Sequence, residues 1–124
     1  MKKLTFILAF VALAAGTTIA QEQKPEVIKL TQVDGKFTNK QLNLKPGTYI
    51  FEVTNKGVER EVGLVVANLN EEGDAGEHIP EGYLSNAIKS GETAQSKVVV
   101  LEEGEYKYFC PLNPTPEYSI KVSE

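Results

Sequence analysis

The feature that most constrains this chain is an alternation of apolar and polar residues, cut by turn residues roughly every ten positions. In GTYIFEVTN, Tyr49, Phe51 and Val53 share one face while Glu52 and Thr54 take the other. Tyr106, Tyr108 and Cys110 alternate with Glu105, Lys107 and Phe109, and Tyr118, Ile120 and Val122 repeat the pattern. A period of two puts successive side chains on opposite sides of an extended backbone, which the 3.6-residue period of a helix does not. Further strands are predicted over 26–31, 36–43, 61–67 and 95–101. Asp34-Gly35, Pro46-Gly47, Asn55-Lys56-Gly57, Ser90-Gly91 and Glu102-Glu103-Gly104 supply the turns between them. Seven or eight short strands, each with one apolar face, predict an all-β sandwich of two sheets.

Two stretches depart from this rhythm. Residues 68–79 are rich in Glu, Asp, Asn and Gly and hold the only histidine, His78, which reads as a surface loop. Residues 81–89 suit a short helix or an irregular strand, with Tyr83, Leu84 and Ala87 as the apolar positions. No internal repeat and no heptad is present.

The N-terminus has a different character. Lys2 and Lys3 precede an apolar run over 4–15, and the small residues Thr18 and Ala20 follow it. This is the anatomy of a secretory signal over residues 1–20, with a single domain expected over 21–124. A run of about 12 apolar residues is too short for a bilayer, which needs about 20. No cysteine lies near the cut to carry a lipid, and no second apolar run follows Gln21. The expected product is periplasmic or secreted, with no transmembrane segment once the signal is removed. Removing Lys2 and Lys3 takes the formal charge from −4 to −6 with no basic cluster left, which excludes nucleic acid as a partner.

Cys110 is the only cysteine, so no internal disulfide can form. A lone thiol in such a compartment is buried, bound to a metal, or reactive. The surrounding sequence reads GETAQSKVVVLEEGEYKYFCPLNPTPEYSIKV: a polar turn, an apolar strand, a glycine turn, an aromatic strand ending in Cys-Pro, a proline-rich loop and a last strand. Upstream, LKPGTYIFEVTNKGVEREVGLVV holds an aromatic strand and an Asn-x-Gly turn. Together these resemble the cupredoxins, the small blue-copper β-sandwich proteins, over roughly residues 27–122, and most closely the exported bacterial cupredoxin-like proteins associated with iron uptake. The resemblance implies a Greek-key sandwich and a type 1 copper site made of two imidazoles, a thiolate and a weak axial thioether. Arg60, Cys110, Asn113 and Tyr118 stand where it places those ligands, so only the cysteine is retained. The loop after Cys110 contains neither histidine nor methionine, and the only methionine is Met1. His78 lies outside both motifs, and as a second ligand it would bring the protein's donors only to two, fewer than copper or zinc sites use.

Strand parity turns Cys110 inward, where a free cysteine packs as a small hydrophobe. The alternative is a reactive thiol activated by Arg60 across the two loops. Residues Pro111, Leu112, Asn113, Pro114, Thr115 and Pro116 form a proline-rich segment that reads in two ways. One is a stiff, extended interaction loop with Leu112 as its apolar tip; the other is a brace that holds the end of the sandwich where a metal no longer does. The acidic run Glu71-Glu72-Gly73-Asp74 lacks the ordered ligand pattern of a calcium loop and reads as solvated. No nucleophile motif, phosphate loop or zinc-protease motif occurs, and no enzyme activity is expected. The expectation is an exported cupredoxin-like domain without a complete type 1 copper site and without a cofactor. It would act as a binding or interaction module in the cell envelope, with an envelope protein as its partner. The alternative is a periplasmic metal-binding or electron-transfer cupredoxin that holds copper through Cys110 and an atypical ligand set.

Overall fold

A computed structural model describes residues 24–124; the expected signal over 1–20 lies outside the described residues. The described chain forms nine strands: β1 (Glu26–Val33), β2 (Lys36–Phe37), β3 (Leu42–Leu44), β4 (Gly47–Asn55), β5 (Val65–Leu69), β6 (Ala75–His78), β7 (Thr93–Leu101), β8 (Gly104–Phe109) and β9 (Tyr118–Val122). They make one sheet of order β2-β1-β4-β7 and a second of order β3-β9-β8-β5-β6. Pairing is antiparallel except between β1 and β4 and between β3 and β9. The chain changes sheet after β2, β3, β4, β6 and β7, the crossing connectivity of a Greek-key sandwich.

Alternation builds the core. The inward rows of β4 (Tyr49, Phe51, Val53) and β7 (Val99, Leu101) face Val66, Tyr108, Ile120 and Val122 of the other sheet, all buried. Each such side chain contributes about 2 kcal/mol by leaving water. Phe37 meets Tyr108 edge-on at 5.0 Å, and Tyr118 stacks on Tyr108 at 5.1 Å. The Tyr108 hydroxyl donates to the Lys40 carbonyl at 2.7 Å, so the phenol is not left unpaired. Burial, with Tyr118 adding to it, pushes the Tyr108 phenol well above its ordinary value.

Four local expectations are revised. The run over 36–43 divides into β2 and β3, which belong to different sheets, and this division helps raise the count to nine strands. The ladder strand expected over 61–67 starts only at Val65, while Val62 forms an isolated bridge to Ile88. The acidic stretch is not all loop: β6 pairs with β5, Ala67 opposite His78 and Leu69 opposite Ala75. Asn70 makes the turn into it, its Oδ1 accepting from the amides of Glu72 and Asp74, both at 2.9 Å. Residues 81–89 begin within a single 3-10 turn, Pro80–Gly82, and beyond it form neither a helix nor a ladder strand, touching the sheets through the isolated bridges Leu84↔Ser96 and Val62↔Ile88. Gly82 packs closely there: a Cβ would stand 3.0 Å from the Val66 side chain, which would have to shift to admit it.

Candidate functional site

The apolar inward rows of β1 and β4 end in amides. Gln32 follows Leu30 in phase, Asn55 follows Val53, and the two are register partners with 0% exposure each. Asn55 Oδ1 accepts from the Val58 amide at 2.8 Å, and its Nδ2 reaches the carbonyls of Val58 (3.1 Å), Arg60 (3.2 Å) and Ile88 (3.2 Å). One side chain therefore shapes the 56–60 turn and directs the chain toward Gly63. Gln32 Nε2 donates to the Gly63 carbonyl at 2.7 Å, and the Gly63 amide donates to Cys110 Sγ at 3.3 Å.

Cys110 begins the loop after β8 and is fully buried. Its amide donates to Thr115 Oγ1 at 3.0 Å and its carbonyl accepts from the Thr115 amide at 3.2 Å, which folds 111–114 into a closed turn. The segment is therefore not the extended surface considered from its prolines. The Asn113 amide donates to Cys110 Sγ at 3.3 Å, so the sulfur receives two N–H groups. The Asn113 side chain, 1% exposed, closes the arrangement. Its Nδ2 donates to Gln32 Oε1 and to the Val33 carbonyl, both at 2.9 Å, and its Oδ1 accepts from the Gly35 amide at 2.8 Å. Three segments, 32–35, 63 and 110–115, are thus tied by side-chain amides around one thiol. Among the described residues no buried side-chain nitrogen or oxygen lacks a partner.

Of the four positions aligned with copper ligands, Cys110 and Asn113 are brought together. Arg60 is exposed, beside a polar depression it shares with Asp34 and Glu59, and the residue that meets the thiol is Gly63, three positions further on. The buried residue next to that contact is Val62, with 0% exposure. Tyr118 belongs to the aromatic cluster, and its hydroxyl accepts from the Phe37 amide at 3.1 Å. His78, on β6, shares a 2.8 Å hydrogen bond with the Tyr83 hydroxyl and packs edge-on against Phe109 at 6.1 Å. Phe109 and Cys110 are neighbours that point to opposite faces, so His78 stands on the far side of the sheet from the thiol. Among the described residues no group of three or more His, Cys, Asp or Glu side chains is placed to hold a metal ion.

Beside the thiol, the Cys110 loop opens onto an apolar depression of about 210 Å³. Leu64, Val65, Leu84 and Ala87 line it, and no charged side chain is among its lining residues. Leu112 and Tyr83 also line it and are 50% and 44% exposed, high for side chains of this size. The sequence reading marked Leu112 but missed Gln32, Asn55, Gly63 and Tyr83. For the first two the signal was present: an amide in phase with an inward apolar row must be paired inside the fold.

The model of the family described as the cupredoxin-like domain matches residues 4–120. No curated protein matches the chain in sequence. Among solved structures, auracyanin B is similar at a TM-score of 0.64 and 12% identity, covering 82% of this chain and 91% of that one. Auracyanin A, described as a blue copper protein from the green thermophilic photosynthetic bacterium Chloroflexus aurantiacus, is similar at a TM-score of 0.60 and 15% identity, covering 81% and 100%. A reduced auracyanin from the photosynthetic bacterium Roseiflexus castenholzii follows at 0.58 and 10%, covering 79% and 97%. At these identities the likeness establishes the fold and nothing finer.

Proposed function

Because the chain belongs to the cupredoxin-like domain family yet keeps only the cysteine of a type 1 copper ligand set, we propose that it is a non-catalytic interaction module. In this reading the domain is exported to the cell envelope and docks a protein partner through the apolar depression beside Cys110. Type 1 copper does not fit the residues present. It needs imidazole nitrogen and soft sulfur around one point. Around this thiol stand the backbone amides of Gly63 and Asn113, and the Asn113 side-chain oxygen and nitrogen are both committed to protein partners.

The observation that carries the reading is the pairing of a rigid rim with an uncharged hollow. Leu112 projects from a turn pinned by Asn113 and Thr115, so a partner that covers it orders little that is not already ordered. Compartment and export rest on the residue pattern of 1–20.

A photo-crosslinking residue at position 112, expressed in the source cell, should trap a discrete protein partner. The same residue at Lys121, an exposed position on β9, should trap none. Equal yields from the two positions would overturn the docking surface. Stoichiometric copper in the purified protein, with an intense thiolate-to-copper absorption band, would overturn the reading as a whole.

A further inference from the structure

We propose that two copies of this chain associate through the open half of β7, pairing antiparallel about Val99 so that their four-stranded sheets join into one. The inference is independent of the depression beside Cys110. β7 is the outer strand of its sheet. Its first half is covered: Leu84 bridges Ser96, and the Ser85 amide donates to the Gln95 carbonyl at 3.0 Å. A bulge follows, since the register steps from Glu52↔Gln95 to Ile50↔Val98 and leaves Ser96 and Lys97 opposite Phe51 alone. Beyond the Leu84↔Ser96 bridge, residues 97–101 border no other strand on that side among the described residues.

Ladder phase identifies the groups on this edge. The Gln95 carbonyl faces outward, and once the bulge is counted as a single step the next outward residues are Val98 and Val100. These are also among the most exposed large apolar side chains, at 42% and 64%. On the outer face of the sheet Val27, Ile50 and Val98 stand in register, so a β-branched stripe runs across three strands and stops at the open edge.

The open window is centred on Val99 and is complementary to itself. Antiparallel pairing about that residue sets Val98 opposite Val100 of the second copy, twice, and joins their N–H and C=O groups. It also carries Lys97 of each copy to the Glu102-Glu103 turn of the other, a charge match at both ends. At that turn the chain bends into β8, so it leaves the partner's edge before reaching the segment at 84–85. The devices that ordinarily guard a sheet edge, a bulge and a lysine, both lie at the start of the window. Residues 98–101 are unguarded, and pairing gives the lysine an acidic partner.

Sedimentation equilibrium on the exported protein, taken up to millimolar concentration, tests this. The mass should rise from one chain toward two. Val100→Pro should abolish the rise, because the lost N–H faces the open edge and not β4. Lys97→Glu should weaken association by about five-fold, two exposed ion pairs being replaced by repulsion. Adding Glu102→Lys and Glu103→Lys to Lys97→Glu should restore it, an arm that stands even if the proline variant fails to fold. A one-chain mass at millimolar concentration would overturn the proposal. So would a dimer that survives Val100→Pro, or a charge-reversed triple variant as weak as Lys97→Glu.

Discussion

Replacing Asn113 by alanine should cost the domain about 3 kcal/mol. The side chain makes three hydrogen bonds at 2.8–2.9 Å, to the Gly35 amide, Gln32 Oε1 and the Val33 carbonyl. Each contributes about 1 kcal/mol net, and a buried group left without a partner costs about 1–3 kcal/mol. Gln32 is fully buried, so its Oε1 has no water within reach to take the place of the asparagine amide. A small cavity adds to the loss, while partial collapse of the 111–114 turn offsets part of it, so the two are taken together as cancelling. Urea unfolding of parent and variant at equal slope measures the difference directly. The same network covers the thiol, so the native-state rate of Cys110 with a thiol reagent should rise by roughly a hundredfold if the opening that exposes it becomes easier by that amount. Asn113→Asp sharpens the test. It keeps the acceptor for the Gly35 amide but points carboxylate oxygen at two acceptors, so it should be at least as harmful at neutral pH and should recover in part on acidification. An Asn113→Ala variant within about 0.5 kcal/mol of the parent, with the thiol as slow as before, would refute the claim that amides hold this end together.

Other outcomes follow from the same contacts. The Tyr108 phenol is held above its ordinary value by burial, so the fold favours the protonated form, and this stabilisation, complete below pH about 10, falls away as pH climbs further. Tyr108→Phe should flatten that alkaline decline in thermal unfolding but not remove it, since burial raises Tyr49 in the same direction. Gly82→Ala should destabilise by about 1–3 kcal/mol in urea unfolding, because its methyl would meet Val66 on a buried strand. Paired with Asn113→His, a histidine at Val62 should produce a thiolate-to-copper absorption band on copper addition. The same pairing with Arg60→His should not, because position 60 is at the surface.

Alternation was a sound guide where a strand keeps to one sheet and carries its own turn signals. In β4, β8 and β9 the inward row seen in the sequence is the buried row in the fold, and Cys110 is buried as its parity requires. It failed where the decision is tertiary. Nothing local says that the chain leaves one sheet between Phe37 and Leu42, because both halves of 36–43 have strand character and only their partners differ. β6 was invisible for the opposite reason: Ala-Gly-Glu-His has little strand propensity and forms a strand because Asn70 turns it back onto β5. At the candidate site, reading on from the Asn55-Lys56-Gly57 turn led to Arg60, whereas Asn55 coils the intervening turn and delivers Gly63 to the thiol. Asn113 was singled out only as a position aligned with a copper ligand, and no property of its neighbours marks it as the residue that joins three segments.

The position of β9 has a consequence for how the molecule comes into being. The last strand lies inside its sheet, inserted between β3 and β8, and its partner β3 is drawn from the first half of the chain. A polypeptide that emerges N-terminus first therefore cannot complete that sheet until its C-terminal residues have arrived. Until then β3 has no neighbour, and Leu42 and Leu44 are without the strand that covers them. Closure waits on a contact between distant parts of the chain, the kind that slows folding most. Under the proposed export, that delay would keep the chain pliable while it is threaded across a membrane.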